Sequence, residues 1–142
     1  MLLFALVALY SLQSRSAGVL GFVGFLAAFI GTAFALATAW SETFVLAVLA
    51  EERPELVDEP PGRVAAGLWI SLPLFLVGWL LFTVSAVRAR VLPRRPTIAV
   101  LVALALFIPA FALPGLGAAF GAAIAWLGYA TYRDLRLPSP VD

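Results

Sequence analysis

The sequence AGVLGFVGFLAAFIGTAFALATAW, residues 17–40, contains no charged side chain. A helix of about 20 apolar residues spans the hydrocarbon core of a bilayer, because the core is about 30 Å thick and each helical residue adds about 1.5 Å. The stretch does not alternate apolar with polar residues and is rich in Ala and Leu, which favours a helix over a strand. Residues 17–40 therefore predict a transmembrane helix.

The composition extends this prediction to the whole chain. Of its 142 residues, 63% are hydrophobic and 12% are charged, whereas a soluble domain has about 45–50% apolar and about 25% charged residues. A soluble chain of this length would leave about a third of its unfolded surface in water. An ordinary water-soluble globule is excluded, and we expect a single membrane domain, residues 1–142, with the lipid bilayer as its main partner.

Three further stretches, 64–87, 97–113 and 116–132, are apolar over a comparable length. With the first they predict an all-α fold, a polytopic transmembrane helix bundle with four strong spans. Residues 1–12 are also apolar but reach only about 18 Å as a helix. We interpret them as a short or truncated membrane helix. An interfacial helix is one alternative, and a signal peptide is another, although no basic residue precedes the apolar run.

The placement of arginine predicts the orientation, since cytoplasmic loops are rich in basic residues. All nine basic residues are Arg. Seven of them lie in the first loop (residues 13–16), in residues 88–95 and after residue 132. Alternating spans bring these regions to one side of the membrane. The other side receives residues 41–63, an acidic extracytoplasmic loop. This pattern predicts a multi-pass protein of the inner membrane with a cytoplasmic C-terminus.

Two compositional features, Arg without Lys and spans rich in Ala, Leu and Gly, resemble those of polytopic proteins from GC-rich bacterial genomes. This resemblance supplies no functional residue.

The sequence leaves three alternatives for the way in which the first strong helix passes into the acidic loop. A helix from residue 17 to residue 50 would be about 51 Å long, whereas a bilayer with its headgroups measures about 40–45 Å. The helix therefore projects beyond the membrane, tilts strongly or breaks near Ser41, which suits the N-cap of a short interfacial helix within residues 41–63.

Small residues at helical spacing predict close helix packing. Gly117, Gly121 and Ala125 form a GxxxG motif extended by one turn, and Gly24 and Ala28 form a similar stripe in the first strong span. We favour packing within one chain. The alternative is contact with a second copy or with a larger membrane complex.

Pro73 and Pro109 lie inside predicted spans, where each removes a helical N–H and crowds the preceding turn. We expect a kink at each proline. A structural kink is favoured over a gate, because prolines are common in transmembrane helices without a mobile role.

Charged residues near the spans are the candidates for ligand binding. An ionisable residue inside a membrane is a functional-site hypothesis, and Glu42 is the single ion or substrate candidate, with a solvated interfacial acid as the favoured alternative. Arg88, Arg90, Arg94 and Arg95 are candidates for contact with anionic lipid headgroups. The acids of residues 51–59 lack a regular cation-binding spacing, which favours a hydrated loop over a metal site.

The residue inventory argues against catalysis. The chain has no Cys, His or Lys, so its hydroxyls lack the usual general base. It also has no soluble basic domain for nucleic acid. We expect no catalytic, cofactor-binding or metal-binding residue. The predicted function is a non-enzymatic structural or accessory helix bundle. The alternative is a small oligomeric transporter or channel using Glu42 and the kinks at Pro73 and Pro109.

Overall fold

The computed structural model describes residues 2–58, 62–110 and 116–136. Within these residues the fold consists of helices and short turns without a strand, so the all-α prediction is confirmed. In chain order, the helices are α1 (Leu2–Gln13), α2 (Gly18–Ser41), α3 (Ala47–Glu52), α4 (Glu55–Asp58), α5 (Gly62–Ala89), α6 (Arg94–Ala110) and α7 (Leu116–Arg136).

A π-helical turn, Glu42–Leu46, joins α2 to α3 without a break, so one apolar helix runs over Gly18–Glu52. Ser41 has helical dihedral angles, φ −61° and ψ −43°, and makes no capping hydrogen bond. The hydroxyl of Thr43 donates 2.8 Å to the carbonyl of Ala39, a bond back to the preceding turn that suits a continuing helix. The possible break at Ser41 is therefore absent, and the 35 residues extend about 52 Å.

Two helical segments of the described residues are long and apolar enough to cross a membrane, Gly18–Glu52 and Trp69–Ala89. The prediction of four strong spans is wrong by this measure. Helix α6 has 17 residues and begins with two arginines. Helix α7 has 21 residues, but its last turn is charged and its interior is rich in Gly, Ala and Tyr, which lowers its hydropathy.

Helices α2 and α5 form the most extensive helix pair and run antiparallel. Gly24 lies against the backbone of Leu81 and Phe82, whereas Gly31 lies against Leu74 and Phe75. Residue numbers thus rise along one helix as they fall along the other. A Cβ at Gly24 would come 2.6 Å from the backbone nitrogen of Phe82, so the two backbones approach closely because glycine occupies this position.

Trp79 of α5 occupies the centre of the core and is completely buried. Its indole N–H donates a 2.9 Å hydrogen bond to the hydroxyl of Thr32 in α2. Phe120 of α7 presents its ring edge to the indole, with ring centroids 5.1 Å apart and an interplanar angle of 89°. This polar and aromatic contact joins three helices around one side chain.

Helix α1 packs against α2 and also contacts α7. Its Tyr10 ring stacks on Phe25 of α2 at a centroid distance of 4.2 Å. Leu6 and Leu9 are buried in the core cluster. The short N-terminal helix is therefore an integral part of the bundle.

Candidate functional site

The small residues of α2 lie where the chain packs most tightly. Gly24 and Ala28 are both buried against α5, and a Cβ at Gly78 would collide with the backbone of Ala27 and Ala28. Since backbone atoms form the contact on both sides, a larger side chain requires the helices to separate. These residues hold the bundle together and offer no space for a ligand.

The GxxxG motif of α7 has different surroundings. A Cβ at Gly121 would meet no atom within 4 Å, and Ala125 is exposed. Gly117 lies outside the residues whose surroundings are described. The described part of this motif makes no close helix contact within the chain, unlike the stripe in α2.

Glu42 begins the π-helical turn, and its side chain is exposed. The contact of Gly31 with Leu74 and Phe75 places Pro73 about level with Thr32 and the next residue of α2. Glu42 therefore lies about nine residues, or roughly 14 Å, from that level along the helix axis. The structure does not bring Glu42 and Pro73 together.

Helix α5 continues through Pro73 as a single helix. Just before the proline, the Ser71 hydroxyl donates a 2.6 Å hydrogen bond to the carbonyl of Gly67. Pro109, the second predicted kink, lies outside the residues whose surroundings are described.

The acidic segment shows no organised cation site in its described part. Glu51, Glu52 and Glu55 are exposed, and Arg53 forms a 3.7 Å ion pair with Glu55 on the surface. Across the described residues, no group of three or more acidic side chains is placed to hold a metal ion. Glu59 lies outside the described residues, as does the side chain of Asp58.

The turn between α5 and α6 carries an open cavity of about 730 Å³ at the protein surface. Arg88, Arg90 and Arg94 line it together with the apolar side chains of Val87 and Leu92. A volume of this size falls within the range of small-molecule sites, about 300–1,000 Å³. The cavity thus combines three permanent positive charges with an apolar wall.

The charges of this cavity have no acidic partner among the residues that the structure describes. The two ion pairs found in the described residues are Arg53–Glu55 and Arg133–Asp134, and neither includes an arginine that lines the cavity. All four arginines of the predicted headgroup cluster are exposed, and the fourth, Arg95, is not among the lining residues. Three of the four arginines predicted to contact lipid headgroups therefore line the same cavity.

Arg90 adopts a left-handed backbone conformation, with φ at +55°. Its N–H donates a 3.2 Å hydrogen bond to the carbonyl of Ala86, which ends α5. Glycine is the usual residue at such a helix end, because a Cβ makes left-handed dihedral angles unfavourable by about 1–2 kcal/mol. An arginine is present here at an energetic cost, and the residue is one of those that line the cavity.

The start of α6 adds positive potential to the same place. The first N–H groups of a helix have no partner inside the helix and carry its positive dipole end, where acidic residues are usually found. Here the first turn has no acid and begins with Arg94 and Arg95. The hydroxyl of Thr97 donates a 2.7 Å hydrogen bond to the carbonyl of Pro93. Pro93, the residue before α6, has no side-chain oxygen that could accept a hydrogen bond from the first N–H groups of the helix.

Sequence reasoning missed Gln13, which it placed in the first loop. Gln13 ends α1 and is completely buried, and neither atom of its side-chain amide has a hydrogen-bond partner. Its position at the start of a polar run, residues 13–16, gave no signal of burial in the sequence. The left-handed conformation of Arg90 was also missed. Neither this conformation nor the burial of Gln13 is associated with a recognisable sequence motif.

No protein-family model, no curated protein and no solved structure matches the chain significantly. Its function is therefore inferred from its own residues.

Proposed function

We propose that the chain is a small integral membrane protein without catalytic chemistry, a structural or accessory helix bundle that packs with itself or with a larger membrane complex. The observation that carries this proposal is the apolar outer surface of α2. Val19, Phe22, Ile30 and Phe34 are large apolar side chains that are exposed, Val19 by 80%. Water makes such a surface unfavourable by about 25 cal/mol per Å² of apolar area, whereas lipid does not.

The degree of burial supports a membrane helix over the core helix of a soluble protein. Only 28% of the most apolar window of Gly18–Glu52 is buried, and 39% of that of Trp69–Ala89. A core helix of similar hydropathy is covered by its own chain. The remainder of these two helices faces outward, where acyl chains would cover it.

The aromatic residues at one end of the α2–α5 pair support the same proposal. Trp40 and Trp69 are both exposed, and both lie beyond the Gly31–Phe75 contact, toward the end at which α2 ends and α5 begins. Tryptophan favours the headgroup level of a bilayer. These two residues would mark the extracytoplasmic boundary, with Glu42 just outside it.

We further propose a multi-pass arrangement in the inner membrane with a cytoplasmic C-terminus. Helices α2 and α5 are the two long spans, while α1, α6 and α7 pack on them within the bilayer. The transport alternative gains no support, because the described cavity lies at the α5–α6 turn and Glu42 is not among its lining residues.

Single-cysteine labelling tests the membrane location, since the chain contains no cysteine of its own. The variants are Ile30→Cys, Val77→Cys and Glu51→Cys, all at positions that are exposed in the structure. A membrane-impermeant maleimide applied to intact cells should label Glu51→Cys and leave the other two unlabelled, because a thiol in lipid does not ionise to the reactive thiolate.

Denaturation in SDS provides the control, since all three variants should then react to the same extent. Labelling of Ile30→Cys and Val77→Cys at the rate of Glu51→Cys in the folded protein would show that water covers these side chains and would refute the proposal.

A further inference from the structure

We propose that the cavity at the α5–α6 turn, the arginine cavity, binds a phosphate group, supplied by the headgroup of an anionic lipid. The arginine cavity is lined by Arg88, Arg90 and Arg94, with Val87 and Leu92 forming its apolar wall. The lipid as the source of the phosphate rests on the proposed membrane location.

The chemistry of the lining side chains selects a phosphate. A guanidinium presents a planar fork of N–H donors that matches two phosphate oxygens. Three arginines line one open cavity, and neither of the ion pairs found in the described residues involves any of them. An anion in the cavity would reduce their mutual repulsion.

The backbone at the cavity points to the same ligand. Helix α6 places cations at its positive dipole end, an arrangement that is unfavourable unless an anion is close by. Pro96 has no N–H and the N–H of Thr97 is bonded to the carbonyl of Pro93, so the N–H groups of Arg94 and Arg95 are the ones in the first turn suited to phosphate oxygens.

The conformation of Arg90 favours a binding site over the alternative that these arginines only determine the orientation of the chain in the membrane. Retention of a loop in the cytoplasm requires only that basic residues be present, whereas glycine would fit the backbone of residue 90 better. The apolar wall favours a lipid over a free phosphate, because Val87 is only half-buried and offers a contact surface for the glycerol and the first acyl carbons.

Native mass spectrometry of the protein in an uncharged detergent tests the proposal. Phosphatidylglycerol, phosphatidylcholine and inorganic phosphate are titrated separately. We expect retention of phosphatidylglycerol and little retention of phosphatidylcholine, whose choline neutralises the phosphate. Each lost arginine should weaken binding about fivefold, and the combined variant Arg88→Gln/Arg90→Gln/Arg94→Gln on the order of a hundredfold.

The matched control removes the same amount of charge elsewhere on the same expected face. The variant Arg15→Gln/Arg133→Gln/Arg136→Gln should bind phosphatidylglycerol within about threefold of the unmodified chain. Equal losses in the two triple variants would show that general charge, and not the arginine cavity, holds the lipid, and would overturn the proposal. So would equal retention of phosphatidylglycerol and phosphatidylcholine.

Arg90→Gly keeps the proposal testable if the triple variant fails to fold. Glycine suits the left-handed backbone, so the variant should melt at or above the temperature of the unmodified chain, yet bind phosphatidylglycerol about fivefold more weakly. Arg95→Gln, next to the cavity but outside it, should leave binding unchanged. Unchanged lipid affinity in Arg90→Gly would overturn the three-arginine site.

Inorganic phosphate separates the two sources. If it binds with the same dependence on the three arginines while phosphatidylglycerol does not, the phosphate site stands and the lipid source is wrong. The labelling experiment on Ile30→Cys and Val77→Cys reports the membrane location separately, so failure of lipid binding in a membrane-embedded protein refutes this site alone.

Discussion

Thr32 and Trp79 show how single side chains join helices whose surfaces are otherwise apolar. The hydroxyl and the indole N–H are both buried and form a 2.9 Å hydrogen bond between α2 and α5. Trp79 also supplies the carbonyl that accepts the hydroxyl of Thr83, 2.6 Å away. Because a buried N–H without a partner is unfavourable by about 1–3 kcal/mol, this pair restricts the register of the two helices.

Replacing Thr32 by valine should destabilise the bundle by about 1 kcal/mol, because the indole N–H of Trp79 loses its acceptor while the side-chain volume stays the same. Tryptophan fluorescence during SDS-induced unfolding of the purified protein measures the change. Thr32→Ser keeps the hydroxyl and should lose less stability than Thr32→Val. If the Thr32→Val variant is as stable as the unmodified protein and the Thr32→Ser variant is less stable, the hydrogen bond contributes nothing to stability.

The sequence indicates how far a tryptophan lies inside a predicted span, but not which helix its side chain contacts. Trp79 lies deep in a predicted span, which indicates packing between helices, and the structure buries it. Trp126 has a similar position in its predicted span, yet its side chain is 50% exposed. The difference arises from the rotation of each helix about its axis, which depends on the neighbouring helices rather than on local composition.

At the scale of helices, two similar stripes of small residues have different surroundings. Gly24 is in backbone contact with α5, whereas Gly121 has open space at its Cβ position. A stripe of small residues predicts that a helix can approach another closely, but it carries no information about which helix does so. The predicted role of Gly24 and Ala28 in packing therefore has a partner in the structure, α5, whereas that of Gly121 has none in the described residues.

A pair of equivalent substitutions separates the two stripes. Gly24→Ala should lower the free energy of unfolding by about 1–3 kcal/mol, because its Cβ would overlap the backbone of Phe82. Gly121→Ala should be neutral or stabilise by up to about 1 kcal/mol, because alanine is the better helix former and meets no neighbour. Unfolding in SDS measures both, and equal losses in the two variants would contradict the difference in packing.

The ends of the helices were harder to predict than their existence. Ser41 is a common N-cap residue, which made a break there a reasonable possibility. The apolar residues that follow it continue the helix instead, and Glu42–Leu46 accommodates the change as a π-helical turn. Capping preference is a matter of about 1 kcal/mol, and a continuous run of backbone hydrogen bonds outweighs it in apolar surroundings.

At the scale of the whole molecule, the helix pairing reinforces the charge asymmetry. Because α2 and α5 are antiparallel, the start of α2 and the end of α5 lie at the same end of the pair. Arg15 precedes the former and the arginine cavity follows the latter. The sequence predicted this grouping from span count and charge alone, although it overestimated the number of strong spans.

The C-terminus should lie on the cytoplasmic side whether or not α6 and α7 cross the bilayer completely. Helix α6 follows α5 closely in the sequence, and α6 and α7 are in contact and close in sequence, so we expect an antiparallel pair that returns the chain to its starting side. Green fluorescent protein fused after Asp142 should therefore fluoresce, and alkaline phosphatase fused there should be inactive. Fusions after Glu55 should give the opposite pair of results and serve as the control. Active alkaline phosphatase at the C-terminus would place Arg133 and Arg136 outside the cytoplasm. Either the antiparallel pairing of α6 and α7 or the predicted orientation would then be wrong.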